Sequence, residues 1–401
     1  MDRLPTHSQL MLPLMGAIDE LGGGARPADV VRHLADSMAL SPEILAATVK
    51  STHGTPESAF GKRVRWVRQD LLRKGFVSRE KKRWWELTES GDNFLQNCRP
   101  GVIVTVFETE LGTALWAEAE AASGIIADRT VQTILTSPPY PLIKAKKYGG
   151  RRGEEYLTWL LSLAKDWHRI LADDGSLMLN LADVYLPGTP TLSLYQEKLL
   201  IALVEDLGFH LAQKIIWQNP CKMPSSAWVT VRRVRVNNST ESIFWLGKGA
   251  NPKANNRRVL RPYAEGAKHI GRGDSGKKRP SGHGDWKGGF QTNHGGSIPP
   301  NLIVAANSTS NDAYCRGCRE QGLPVHPARF PASIPEMLVN LTTDPGDLVY
   351  DPFGGSCMTA AACEKLGRRW VTNDKSLAYL RGGVLRFPGS ELLLAEKHPS
   401  I

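Results

Sequence analysis

Hydrophobic and polar residues follow two different rhythms along this chain. Over 8–96 the rhythm is helical. Apolar residues return every third or fourth position in "SQLMLPLMGAIDELGG", "RPADVVRHLADSMAL", "SPEILAATVKS" and "AFGKRVRWVRQDLLRKG". Glycines close the first and the fourth of these, Gly75 ending the latter. The third opens with Ser41 as N-cap, Pro42 at the first helical position and Glu43 in the first turn. "FVSREKKRWWELT" then predicts two short strands around a basic turn.

From about 113 to 247 the rhythm changes. "VQTILTS", "GSLMLNLAD", "LAQKIIWQN" and "TESIFWLGK" predict buried strands, with helices "EEYLTWLLSLAKDWHRIL" and "SLYQEKLLIALVEDLGF" among them. Continuous apolar strands alternating with amphipathic helices indicate an α/β fold with a doubly wound parallel sheet. Residues 97–112 read as a linker or an entry strand. Residues 248–312 lose periodicity and are rich in Gly, Asn, Lys, Arg, Pro and Ser. A polar insert of this length inside a globular chain is more often functional than idle. The α/β pattern then returns, with a helix at 333–343, strand "DLVYD", a Gly-rich turn, helix "MTAAACEKLG" and strand "RWVTND". Two domains follow, 1–96 and 97–401, the second carrying an insert at about 248–325.

Helices followed by a basic hairpin form the pattern of a winged helix, in which one helix enters a major groove and the hairpin touches phosphate or the minor groove. Arg63 and Arg65 on the fourth helix, and Lys81, Lys82 and Arg83 in the turn, are the expected DNA contacts. The alternative is a helical protein-interaction domain. The segment resembles the N-terminal domain of Mrr-type restriction proteins and of some methyltransferases.

Charge sharpens this picture. The net charge is +10, a bias towards a polyanionic partner. Residues 61–85 hold ten basic and two acidic side chains, and residues 248–287 hold eleven and three. Two separated basic concentrations favour nucleic acid, with Lys277, Lys278 and Arg279 expected to meet phosphate. Apolar content is 41% and no apolar run reaches membrane-spanning length. "LMLPLMGAI" closes on Asp19 and Glu20 and reads as a core helix, not a signal peptide. These features predict a cytoplasmic, nucleoid-associated protein, monomer or homodimer, with its six cysteines reduced. Cys315 and Cys318 form one C-x-x-C. A zinc site needs four ligands, which His283, His294 or His326 would have to complete. The expectation is two thiols on a helix and no metal.

Two motifs carry chemistry. "DPFGGS", Asp351 to Ser356, lies between a strand and a helix, where glycines permit a tight turn and close approach to backbone N–H groups. Asp374 ends the next strand, where a doubly wound fold grips a ribose hydroxyl pair. The turn lacks the dinucleotide and Walker patterns, so NAD and ATP fit poorly. "SPPY", Ser137, Pro138, Pro139 and Tyr140, follows "VQTILT". Two prolines cannot continue a ladder, so the sheet stops and a stiff corner stands beyond it. Both motifs should lie at the carboxyl edge of one sheet, where such sheets bind ligands.

With these motifs in this order, the chain resembles the beta class of S-adenosylmethionine-dependent DNA amino-methyltransferases, over roughly 113–380. "GSLMLNLAD", "IIWQNP", "NNSTESIFWLGKG", "HPARFP" and "LGRRWVTND" agree with it. The resemblance implies a Rossmann-like methyltransferase sheet, with the insert as target-recognition region and double-stranded DNA as partner. It also implies a catalytic corner at Ser137–Tyr140 and S-adenosylmethionine held by Asp351, Pro352, Phe353, Gly354, Gly355, Ser356, Asp374 and Phe330. Serine at the first motif position implies methylation of cytosine N4, with adenine N6 as the alternative. A cognate restriction endonuclease is the implied further partner. Two departures stand out. Cys357 replaces the family's second glycine, and Glu118 stands near the place of an absent Gly-Asp. A worn scaffold acting as a non-catalytic DNA-binding regulator, and RNA methylation, are the competing readings.

Overall fold

The computed structural model describes residues 4–5, 7–38, 40–50, 55–78, 83–96, 102–141, 153–265, 279–281, 284–286, 293–307 and 312–393. The N-terminal part holds helices α1 (His7–Glu20), α2 (Pro27–Ser37), α3 (Pro42–Ala46), α4 (Ala59–Arg73) and α5 (Glu89–Gln96). Four short strands accompany them, β1 (Gly24–Ala25), β2 (Thr48–Lys50), β3 (Pro56–Ser58) and β4 (Trp85–Glu86). In α4 the Ser58 hydroxyl accepts the Gly61 N–H at 3.1 Å, and Phe60, Val64, Val67 and Leu71 turn one buried stripe inward. The helix stops where Gly75 takes φ +74.

The third predicted helix is shorter than its pattern. It ends at Ala46, and Thr48–Lys50 pairs antiparallel with Pro56–Ser58. β-branched Thr48 and Val49 suit a strand better than a last helical turn. Ser41 occupies the cap position, but its side chain caps no N–H. The hairpin forms through β4 and a bridge from Val77 to Leu87, with β1 alongside.

The second part is built on nine strands: β5 (Val104–Glu108), β6 (Gly112–Trp116), β7 (Val131–Thr136), β8 (Leu171–Leu181), β9 (His210–Gln218), β10 (Thr240–Gly247), β13 (Leu302–Val304), β14 (Leu348–Asp351) and β15 (Arg369–Asp374). Their order is β13-β9-β10-β8-β7-β14-β15-β6-β5. A separate hairpin joins β11 (Arg279–Ser281) to β12 (Gly284–Trp286). The run β8-β7-β14-β15-β6 is parallel, while β10 and β5 run antiparallel to their neighbours. The sheet is therefore mixed and not wholly parallel. An apolar run records burial but not direction, which is why "TESIFWLGK" reads as a strand of a parallel sheet although β10 runs antiparallel.

Helices cover both faces. Leu177, Leu179 and Leu181 of β8 pack with α6 (Ala119–Ile125), α7 (Gly153–Ile170) and α8 (Tyr195–Glu205). Met178 turns to the other core, shared with α10 (Ser333–Thr342), α11 (Met358–Leu366) and α12 (Leu377–Gly383). That alternation is the period-2 signature of a strand buried on both sides. Cys315 and Cys318 are buried on α9 (Ala313–Glu320). The first part docks on the second where the Phe94 ring meets Trp116 edge-on at 5.8 Å and Glu20 pairs with Arg381 at 3.1 Å.

Candidate active site

Strands β7 and β14 are parallel neighbours, so the residues that follow them emerge side by side. The Thr136 hydroxyl, last in β7, donates to Asp351 Oδ1 at 2.8 Å. Thr359 of α11 donates to the other oxygen at 2.7 Å, and the Phe353 N–H to Oδ1 at 3.1 Å. Asp351 thus staples two strand tips and a helix start together. Burial pushes its carboxyl up to about 6 against those hydrogen bonds.

Beyond Thr136 the chain turns out through buried Pro138 and half-buried Ser137, Pro139 and Tyr140. The Tyr140 hydroxyl reaches back into the protein. It donates to Glu241 Oε2 at 2.9 Å, accepts from Asn180 Nδ2 at 2.8 Å and lies 2.8 Å from Ser137 Oγ. Asn180 Nδ2 also donates to Glu241 Oε2 at 2.9 Å, and Lys222 Nζ pairs with Oε1 at 3.1 Å. Burial first, then the Glu241 carboxylate, raises the Tyr140 phenol well above its ordinary value, so it stays protonated.

These contacts fix the direction of the hydrogens. Carboxylate oxygens only accept. The tyrosine proton is therefore spent on Glu241, and the hydrogen between Tyr140 and Ser137 must belong to Ser137. Asn180 Nδ2 stands 3.5 Å from Ser137 Oγ, at the long limit of a hydrogen bond, which leaves the serine oxygen a lone pair to present. Asn180 Oδ1 is buried and has no partner among the described residues. Its amide is oriented by its Nδ2 contact with the Glu241 acceptor.

The glycine turn lies one strand along. Gly354 N donates to Asn373 O at 2.9 Å, and Gly355 N to Asp374 Oδ2 at 3.0 Å. Asp374 Oδ1 accepts from Ser376 N at 2.8 Å, and burial pushes this carboxyl up to about 6. A Cβ on Gly354 would stand 1.9 Å from Thr372 Oγ1, and Gly355 takes φ +51 with His326 beside it. These glycines are demanded by the protein's own packing before any ligand is considered. Cys357, where the family pattern has glycine, adopts the left-handed φ of +56 and is fully buried. Glu118, just before α6, follows Ala117, whose N–H donates to Asp374 O at 3.2 Å, so Glu118 and Asp374 share one rim.

The two predicted aromatic contacts part company. Phe353 packs on Trp159 and Trp167 of α7, whereas Phe330 stands edge-on to Trp217 of β9 in the other core. Pro352 and Ser356 are buried, and their carbonyls accept from Asn373 Nδ2 and Arg386 Nε. Of the expected DNA contacts, Arg63 is turned inward onto Pro5 O at 2.8 Å, Arg65 pairs with Glu57, and Arg83 is exposed. Lys81, Lys82, Lys277, Lys278 and His283 lie outside the described residues, and Arg279 is placed only as backbone in β11. Lys253 and Arg258 of the basic insert pair with Asp344, and Lys248 with Asp173, at the amino end of the sheet, away from this rim. The His326 ring meets Tyr379 edge-on at 4.5 Å, and its backbone N–H donates to the hydroxyl of Tyr314 on α9 at 3.1 Å.

Sequence reasoning passed over Asn180, Lys222 and Glu241. One signal was available: an asparagine inside the apolar run "LMLNL" must find partners once buried.

A DNA methylase family model matches residues 131–384, and an Mrr N-terminal domain model matches residues 7–97. The chain is 38% identical over 265 residues to the type II methyltransferase M.PvuII of Proteus hauseri, covering 65% of this chain and 79% of that one. It is 27% identical over 245 residues to M.BglII of Bacillus subtilis, covering 61% and 59%. Among solved structures, the cytosine-N4-specific PvuII DNA methyltransferase superposes with a TM-score of 0.59 at 31% identity, over 71% of this chain and 89% of that one. A family model covering well over half the chain, and a corner and glycine turn on adjacent strand tips, lead to one assignment: the chain belongs to the N6/N4 DNA methylase family.

Proposed function

We propose that this protein transfers a methyl group from S-adenosylmethionine to the exocyclic N4 of cytosine in double-stranded DNA. The observation that carries the reading is the Ser137–Tyr140 corner held beside the glycine turn by the Thr136–Asp351 hydrogen bond of 2.8 Å. The rim fits such a donor. Its carboxylates, Asp374 and Glu118, complement a cationic sulfonium nucleoside, and the turn offers its backbone. The donor supplies an electrophilic methyl.

The chain's own residues orient the nucleophile. An exocyclic amino nitrogen is a poor nucleophile because its lone pair is delocalised into the ring, so placement is what helps most. Ser137 Oγ, with its own hydrogen committed to Tyr140, accepts one amino hydrogen, and the Pro138 carbonyl accepts the other. The lone pair is thereby turned towards the methyl. The methylated nitrogen is strongly acidic and sheds its proton afterwards, so no base is needed beforehand. Tyr140, pinned through its hydroxyl, offers a ring face to a base that has left the duplex. Such stacking contributes ~1–3 kcal/mol. Ser137 and the cytosine-N4 specificity of the superposed relative support cytosine over adenine.

The N-terminal part holds the duplex. Supporting this are the outward face of α4, with Arg65, Gln69 and Arg73 around Trp66, which is 58% exposed, and the exposed Arg83 of the turn. Two type II methyltransferases among the relatives support pairing with a cognate nuclease.

The test is chemical. DNA from cells expressing the chain is digested to nucleosides and analysed by mass spectrometry. N4-methylcytosine is expected. N6-methyladenine would overturn the base assignment, and an unmodified digest would overturn the enzyme.

A further inference from the structure

The loop from Asn219 to Ser239, which joins β9 to β10, has an exposed crown that the active-site geometry leaves unused. It springs from the carboxyl rim, because β9 ends there and β10 starts there beside Leu181 of β8. Its base is closed by Asn219 N on Ser239 O at 2.8 Å and by Asn219 Nδ2 on Asn307 Oδ1 at 2.9 Å. Lys222, near its start, grips Glu241, the carboxylate that holds Tyr140. Asn238, near its end, donates to Asp183 Oδ2 at 2.9 Å. The loop is thus wired to the catalytic corner at its foot.

The crown is unusual in three ways. Residues 226–231 form a turn of π-helix, a conformation concentrated at functional sites. Arg233 adopts a left-handed φ of +54, a conformation unfavourable for a non-glycine residue. Apolar side chains stand in water, with Val236 87% and Val231 76% exposed. Between the valines run exposed Arg232, Arg233 and Arg235, and the segment 219–239 contains no acidic residue. Trp228 lies under Arg232, its ring centroid 4.9 Å from the guanidinium carbon. An apolar patch on a soluble surface marks a contact. Arginine without acid selects a polyanion, and apolar side chains among arginines suit a duplex opened at one step, where phosphates flank a gap in the stack.

We infer that this crown is a duplex-docking element. Arg232, Arg233 and Arg235 take phosphates flanking the target nucleotide, and Val234 and Val236 press into the stack it leaves. The inference rests on the DNA-methylase reading and extends it to a surface outside the basic segments read from sequence.

Two variants test it on the full-length protein. Changing Arg232, Arg233 and Arg235 together to Gln is expected to weaken binding to a short mixed-sequence duplex at least tenfold. The logarithmic salt slope should shrink by about 2 to 3, one for each phosphate no longer neutralised. S-adenosylmethionine affinity and melting temperature should not change. Val234→Ser with Val236→Ser is expected to lower the fluorescence of a 2-aminopurine placed at the target position, and a target-strand mismatch should restore it. Unchanged duplex affinity and salt slope in the arginine variant would overturn the proposal while the parent still methylated DNA. So would a valine variant that dissolved a parent dimer without affecting DNA binding. A parent that methylated no DNA would instead remove the underlying enzyme reading.

Discussion

At the residue scale, the decisive arrangement is the chain from Glu241 through Tyr140 to Ser137, because it commits the serine hydrogen to Tyr140 and so, in the proposed reaction, sets which atom of the serine meets the amine. Glu241→Gln would turn an amide N–H towards Tyr140, since Lys222 claims the carbonyl oxygen. The phenol would then lose its acceptor and compete with Ser137 as donor. Single-turnover methyl transfer should fall by about tenfold in this variant and in Tyr140→Phe, a loss of roughly 1.4 kcal/mol in transition-state stabilisation. The double variant should be no slower than the worse single, because both break one chain. Multiplying losses would show that Glu241 acts on something else. Asp374 carries a second prediction. Its folded pKa, raised to about 6, lies above the ordinary carboxylate value, so its proton leaves as pH rises through 6. Only the ionised form complements a sulfonium nucleoside. Cofactor affinity should therefore rise between pH 5 and 7 and flatten in Asp374→Asn, as read by calorimetric titration. The same raised value sets the sign for stability: ionising this buried group weakens the fold as pH climbs from about 4 to about 6, the reverse of a salt-bridged carboxylate.

At the element scale, strand, turn and helix are locked by contacts that leave no spare volume. Only glycine fits at position 354, because Thr372 Oγ1 occupies the space a Cβ would fill. Gly354→Ala should destabilise the protein by about 1–3 kcal/mol, the usual cost of overpacking, measured by urea unfolding. Adding Thr372→Ala should recover part of that loss, and failure to recover any would place the strain elsewhere. The same element shows where sequence patterns stop. "MTAAACEKLG" announced a helix, and α11 forms at Met358–Leu366. The residue before it announced nothing: the pattern calls for glycine where this chain has Cys357, and the left-handed conformation persists regardless. Burying the thiol against Gly383 stabilises an unfavourable backbone, a compensation set by α12 and not by local sequence.

At the scale of the whole molecule, the two parts share an interface and not just a linker. The Phe94 ring stacks on Phe76 within the first part and meets Trp116 of the second, while Arg381 of α12 reaches Glu20 of α1. Heating should therefore give one calorimetric transition, and two resolved transitions would contradict the shared core. The distribution of charge also changes meaning at this scale. The basic residues at 248–258 looked like part of a nucleic-acid surface, yet Lys248, Lys253 and Arg258 tie down the amino end of the sheet. The loop at 219–239 has fewer charges but stands on the rim that bears the Ser137–Tyr140 corner.

Several features needed nothing beyond the sequence. Two prolines end a strand wherever it is placed, and a glycine turn between apolar runs bends sharply wherever it is placed. The α/β alternation and the two motifs were therefore legible, and with them the family. What the sequence could not hold was adjacency. Tyr140 and Glu241 are 101 positions apart and Thr136 and Asp351 are 215 apart. No local preference encodes which strands become neighbours, that β10 runs against them, or which basic residues end up facing the rim. Strand order is decided by how both faces of the sheet are buried at once, a cooperative property of the packed core. That packing delivered the carboxylate that orients Tyr140, and with it the direction in which Ser137 presents its lone pairs.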